Sequence, residues 1–282
     1  MIDYICLMSW LKAIFKFYID SSIHVSLAVC ALVLTTTYVF DITVSLELLA
    51  FVFLSTITGY NFVKYAGLAG LHHRTLTKNL QAIQSFSFLN FILLVWLAFH
   101  VPLNVLIISG GLGLFTLLYA IPFLPQGKNL RSLKTLKIFI IAFVWAVTAI
   151  MLPLEKFELI LSITTLWRFL QIFVLILALM LPFEIRDLTY DNNELKTIPQ
   201  LIGVLKTKHL GYLLLVCFFL FEFLISTKWS NLISALLISL VTSIMIYFSS
   251  KEQSKYYASF WVESIPIFWL GFLWWSDSVL LI

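Results

Sequence analysis

The stretch Pro182-Phe-Glu184-Ile-Arg186-Asp187-Leu-Thr-Tyr-Asp191-Asn-Asn-Glu194-Leu-Lys196-Thr197-Ile-Pro199-Gln-Leu-Ile-Gly203 decides how the rest of the chain is read. It closes an apolar run, residues 160–182, and sets Glu184, Asp187 and Asp191 against the end of that run. Spacings of three and four place all three carboxylates on one face of a helix. Carboxylates crowded at a membrane surface repel one another unless a cation holds them. Magnesium suits such a place, because it takes oxygen ligands, keeps several waters, and joins one or two carboxylates to a substrate phosphate. A plainer reading stands beside it: a hydrated loop in which Asp191 caps a short helical turn, with Glu194 as its capping-box partner. Spacing alone leaves both open.

Working outward, the composition fixes the solvent. Of 282 residues, 61% are hydrophobic and only 11% charged, more apolar surface than a soluble domain of this length hides. The chain therefore belongs in a lipid bilayer. Its net charge of +4 is scattered over short polar seams, so no nucleic-acid partner is implied. Three cysteines, Cys6, Cys30 and Cys217, lie far apart in apolar contexts, an odd and unpatterned set that argues against a disulfide framework. No basic leader or small-residue cleavage site marks a signal peptide. Residues 4–19 instead set Leu7, Leu11, Ile14 and Tyr18 against Lys12 and Lys16, with Trp10 beside them. This reads as an amphipathic helix lying on the membrane, or as a soluble-type helix packed against the bundle.

A spanning helix needs roughly 20 mostly apolar residues. Nine stretches qualify: 22–40, 44–62, 82–99, 104–123, 137–153, 160–182, 208–226, 230–248 and 258–276. The basic residues test this partition. With the N-terminus cytoplasmic, the inside segments hold Lys12, Lys16, Lys64, Arg74, Lys78, Lys128, Arg131, Lys134, Lys137, Arg186, Lys196, Lys206, Lys208, Lys251 and Lys255, fifteen of the eighteen basic residues. Only Lys156, Arg168 and Lys228 fall outside or near the outer ends. That asymmetry is the positive-inside rule, and a miscounted helix would have scrambled it. Trp229, Trp274 and Trp275 near outer ends, and Tyr119, Tyr247, Tyr256 and Tyr257 near inner ones, suit interfacial rings. The expected architecture is thus all-α: one membrane domain over 1–282, with an interfacial helix (1–20) and a bundle of nine transmembrane helices (21–282), N-terminus inside.

Arg186-Asp187-x-x-x-Asp191, followed by Thr197-Ile-Pro199 and Gly203, resembles the second aspartate-rich motif of the UbiA superfamily of intramembrane prenyltransferases, with Glu184 where family members carry a further Asp. The nine-helix count matches that family too. The resemblance implies that Glu184, Asp187 and Asp191 hold Mg2+ on the diphosphate of a polyprenyl donor at the cytoplasmic face, with Arg186 adding charge. The family's first motif, Asn-Asp-x-x-Asp-x-x-x-Asp, corresponds to Asn61-Phe62-x-x-Tyr65-x-x-x-Ala69. Asn61 matches, and every carboxylate is replaced. A diphosphate leaving group demands compensating positive charge, and one acidic cluster leaves little to hold a second ion.

Lys64, His72, His73 and Arg74 lie beside the altered motif. Lys64, one turn beyond Asn61, is either a phosphate contact or an ordinary inside charge; the paired histidines lack metal-ligand spacing. Pro122, Pro125, Arg131, Lys134 and Lys137, with Trp145 and Pro153 beyond, resemble the family's cationic turn after the fourth helix. Asn61, Lys64, Tyr65, Arg131 and Lys134 are the expected substrate contacts. Two acids, Glu222 and Glu263, fall inside apolar spans, where ionisable groups are costly and often face a cavity. Glu263 is placed to line the same chamber; Glu222, nearer the outer end, is expected to reach water or pair with a base.

Two functions follow. The first is a magnesium-dependent prenyltransferase, moving an isoprenoid group from a polyprenyl diphosphate to an acceptor in an inner (cytoplasmic) or organellar membrane. The second is a UbiA-fold protein without turnover that binds an isoprenoid lipid or acts as an assembly partner. A transporter using Glu222 and Glu263 would need matched helix breaks in two halves, and Gly110-Gly111-x-Gly113 has no counterpart.

Overall fold

The computed structural model describes residues 2–69, 78–122, 136–154, 162–189 and 196–280. Among them the chain forms α1 (Ile2–Asp20), α2 (Ile23–Phe40), α3 (Leu46–Ala69), α4 (Lys78–Ala98), α5 (Leu103–Ala120), α6 (Leu136–Met151), α7 (Ile163–Asp187), the short α8 (Ile198–Ile202), α9 (Val204–Ile225), α10 (Trp229–Phe248) and α11 (Ile265–Leu280). Seven of these, α2 to α5, α7, α9 and α10, are long and apolar enough to cross a membrane. The other two expected spans correspond to shorter helices, α6 and α11, of 16 residues each. The protein is a multi-pass integral membrane protein.

The last expected span, 258–276, is not one smooth helix. A π-helical turn over Tyr257–Val262 precedes α11, and the helix restarts at Ile265. Pro266 is the local cause: without an N–H it suits only the first turn of a helix.

Many hydroxyls inside the spans bond back onto their own helices, as lipid favours. In α2 the hydroxyls of Thr35 and Thr36 donate to the Leu32 carbonyl and that of Thr37 to Leu34. Ser162 caps α7 by accepting the Thr165 N–H at 3.1 Å. Thr197 begins α8, its N–H bonded to Gln200 Oε1, and Gly203, at φ 80°, supplies the left-handed turn into α9.

Around the bundle, α11 packs on α2, α2 on α3 and α6, α6 on α7, α7 on α9, and α9 through α10 back to α11. Small residues sit where the helices meet. Ala28, Ala142, Ala146, Ala149, Ala178 and Ala235 are fully buried, which lets backbones approach closely where dispersion is the main attraction. A Cβ on Gly211 would lie 2.7 Å from Ile246 Cδ1 and 3.1 Å from Leu181 Cδ1, so α7, α9 and α10 close over a bare glycine. On the other flank α4 and α5 each lean on α3 rather than on one another.

Candidate functional site: an apolar slot with a charged mouth

The gap between α4 and α5 is a cavity of about 1040 Å³ lined by α3, α4, α5 and α6. Its walls run from Ile83 to Ala98 on α4 and from Leu106 to Tyr119 on α5. At the helical rise the α4 wall is roughly 22 Å long, so the cavity is a slot running with the helices. Phe88, Phe91 and Val95 on one lip and Leu114 and Leu117 on the other are exposed at the bundle surface, so the slot opens sideways towards lipid. Its polar groups are few. Trp145 Nε1 donates to the Tyr60 hydroxyl at 2.7 Å, and Thr56 and Thr116 turn back onto their own helices. Such a site fits a long hydrocarbon chain.

One end of the slot reaches Asn61 and Tyr65 on α3, and these two with Lys64 hold the α1–α2 corner. Ser22, at φ 66°, turns that corner in the left-handed region. Asn61 is buried: its Oδ1 accepts from Ser22 Oγ at 2.8 Å, and its Nδ2 donates to the Ser21 carbonyl at 3.0 Å and to Ser87 Oγ at 2.8 Å. Lys64 Nζ donates to Ser22 Oγ at 3.0 Å and to the Ile19 carbonyl at 3.4 Å, and the Tyr65 hydroxyl donates to the Asp20 carbonyl at 2.8 Å. Each of the three makes structural bonds in this geometry. Phe62, at the first lost acidic position, lines the slot instead.

The C-terminal end of α7 carries the acidic motif. Glu184 is 1% exposed, with its Oε1 2.7 Å from Lys137 Nζ on α6. Asp187, one turn further on, takes the Arg186 Nε at 2.7 Å, and the Arg186 guanidinium also rests 5.2 Å over the Phe183 ring. Gln253 Nε2 donates to the Pro182 carbonyl at 3.1 Å, tying α7 to the segment before the π turn. Just past that turn lies Glu263, which closes it. Asp191, Arg131, Lys134, His72, His73 and Arg74 lie outside the described residues.

The α1–α2 corner carries one more ordered group, His24. Its Nε2 lies 2.9 Å from the Phe260 carbonyl, which only accepts, so the ring proton sits there and Nδ1 accepts from the Tyr18 hydroxyl at 2.7 Å. Burial first, then the Glu263 carboxylate, holds that hydroxyl above its ordinary range. Phe15 packs edge-on against Tyr256 and Phe260, so α1 is docked on the π turn.

Several features lie outside the sequence reading. Lys137 enters there as an inside charge and as part of the family-like cationic turn, and nothing local announces Glu184 as its partner. Arg168, read as an outer charge, is fully buried in α7: Nη1 donates to Gln171 Oε1 at 2.7 Å, Glu222 Oε2 lies 3.8 Å away, and Trp269 stacks 4.4 Å below. Glu222 thus pairs with a base rather than reaching water. The signal was Arg168-x-x-Gln171, two polar residues on one face of an apolar run.

The described donors do not suit a magnesium ion. Glu184 and Asp187 each already face a side-chain cation, and the described residues bring no three His, Cys, Asp or Glu side chains together.

No family model matches the chain, and no curated protein matches it. Its structure is similar to a solved structure of digeranylgeranylglyceryl phosphate synthase in membranes, with a TM-score of 0.55 and 18% sequence identity, covering 93% of this chain and 97% of that one. The likeness extends over nearly all of both chains, so this protein shares the fold of that synthase. The fold of this protein is UbiA-like.

Proposed function

We propose that the protein holds an isoprenoid chain in the α3–α6 slot with its polar end at the charged mouth, and that it is a prenyltransferase acting on a polyprenyl diphosphate at the cytoplasmic face. The slot is the observation that carries this reading: long, apolar, open to lipid, and ending at Asn61 and Tyr65 beside Lys64. In the proposed reaction the allylic carbon–oxygen bond of the donor breaks and its electron pair leaves with the diphosphate. The carbon bonds to the acceptor, and the acceptor gives up a proton. Arg186 and Lys64 face the leaving group, with Arg131 and Lys134 as further proposed contacts; Tyr60 and Trp145 are the aromatic groups nearest the developing cation. Asp187 orients Arg186, and Asp191 is a further proposed catalytic residue of the motif. The fold resemblance brings magnesium with it, so the assay is run with the ion and without.

The altered first motif favours a second reading, a UbiA-fold protein that binds an isoprenoid lipid without turnover. Phe62 and Tyr65 stand where carboxylates are expected, and the Tyr65 hydroxyl is bonded to backbone. Purified protein incubated with farnesyl or geranylgeranyl diphosphate separates the two. Release of diphosphate, lost in Asp187→Asn, supports the transferase; donor bound but intact with every acceptor supports the binder. A protein that binds neither donor contradicts both.

A further inference from the structure

We propose that Lys137 stands in for a divalent ion at the mouth, so that a phosphate-bearing head group is held there by fixed side-chain cations. The inference rests on the reading of this mouth as the polar end of the isoprenoid site. Lys137 Nζ lies 2.7 Å from Glu184 Oε1, and the two side chains are 15% and 1% exposed. A magnesium ion on the same oxygen would sit about 2.1 Å from it, crowding two positive centres onto one buried carboxylate. The neighbouring acid, Asp187, takes Arg186 at the same 2.7 Å. On α3, the positions that would supply acids for a second ion are Phe62, Tyr65 and Ala69, while Lys64 Nζ is bonded to Ser22 Oγ and the Ile19 carbonyl. The exchange is consistent on both walls: carboxylates are lost from α3, and those kept on α7 meet an ammonium or a guanidinium. Ammonium and guanidinium groups recognise phosphate directly, the guanidinium by paired hydrogen bonds and the ammonium as a point charge.

Manganese titration of the full-length protein in detergent, followed by electron paramagnetic resonance, tests this without reference to turnover. The wild type is expected to show no stoichiometric site in the sub-millimolar range. Lys137→Met leaves Glu184 buried without its ammonium. This variant is expected to gain manganese affinity at least tenfold and to show a Tm that rises with added Mg2+. Adding Glu184→Gln to it should abolish both gains. A stoichiometric wild-type site that Asp187→Asn removes would overturn the proposal. So would a folded Lys137→Met protein indifferent to both ions. Should Lys137→Met fail to fold, the wild-type titration and the charge-keeping Lys137→Arg, expected to stay ion-insensitive, still decide. Retention of geranylgeranyl diphosphate in EDTA, within about twofold of that in Mg2+, completes the positive case, and a tenfold loss in EDTA refutes it. If the protein retains no donor in either buffer, the functional reading fails while the manganese result still judges Lys137.

Discussion

The two flanks of this bundle are built from the same apolar alphabet and do opposite things with it. In α7, 56% of the spanning window is buried, against 11% in α5. The α7–α9–α10–α11 flank closes on alanines, a bare glycine and an ionic cluster inside the membrane. The α3–α6 flank leaves a gap of about 1040 Å³ and exposes large side chains along both lips. In lipid, helices gain little from excluding water and depend on close packing and internal polar bonds. A flank that forgoes packing therefore needs another occupant, while a flank that invests in packing serves as the frame. Frame residues should govern stability, and slot residues should govern binding.

The largest stability effect is expected at the frame's ionic centre. Glu222→Ala leaves Arg168 buried without its counter-charge and should cost about 3–5 kcal/mol, read as a lowered unfolding midpoint in detergent. Arg168→Met with Glu222→Leu should recover most of that loss, because an apolar pair of similar volume often replaces a buried ion pair without penalty. If the single and the double variants fall equally, the pair is not the frame's weak point. Next comes the hinge between the two flanks. Asn61→Ala takes one bonding partner each from Ser22 Oγ, Ser87 Oγ and the Ser21 carbonyl, a loss of about 1–3 kcal/mol for buried groups. Its thermal midpoint should drop visibly while slot occupancy changes little. Gly211→Ala follows, at about 1 kcal/mol, since the clashing atom is the flexible end of Ile246. The smallest stability effect belongs to the slot itself. Gly59 lines it, and a Cβ there meets only Thr116 Cγ2 at 3.7 Å. Gly59→Phe should shift stability by under about 1 kcal/mol yet weaken isoprenoid binding at least tenfold. Equal binding by Gly59→Phe and the wild type would erase the contrast between the flanks.

How much of this was legible in the sequence follows the same division. Helix number and the acidic end of α7 were readable, because spans need length and seams collect charge. Pro266 announced a helix start, and within a long apolar stretch it was absorbed into a single span. The slot was invisible: Phe88, Phe91 and Leu114 carry the same letters as any lipid-facing residue, and only helix placement separates a wall from an outer surface. Glu184 was legible as an acid of the motif, but its Lys137 partner lies on another helix. Arg168 misled for a related reason. One arginine near a helix end looks like an orientation charge until Gln171, Glu222 and Trp269 are seen around it. Asn61 and Tyr65 were found by likeness to a motif, and their bonds to the α1–α2 corner depend on contacts more than thirty residues away in sequence.

The central claim is that an isoprenoid chain occupies the α3–α6 slot. The most direct measurement is photo-crosslinking of the full-length protein with a geranylgeranyl diphosphate analogue bearing a diazirine on its tail, with the labelled peptides identified by mass spectrometry. The account predicts labels on slot-facing residues of α3 to α6, competed by unlabelled geranylgeranyl diphosphate and reduced in Gly59→Phe. Labels confined to α9 and α10, or spread over the lipid-facing surface without competition, would contradict it.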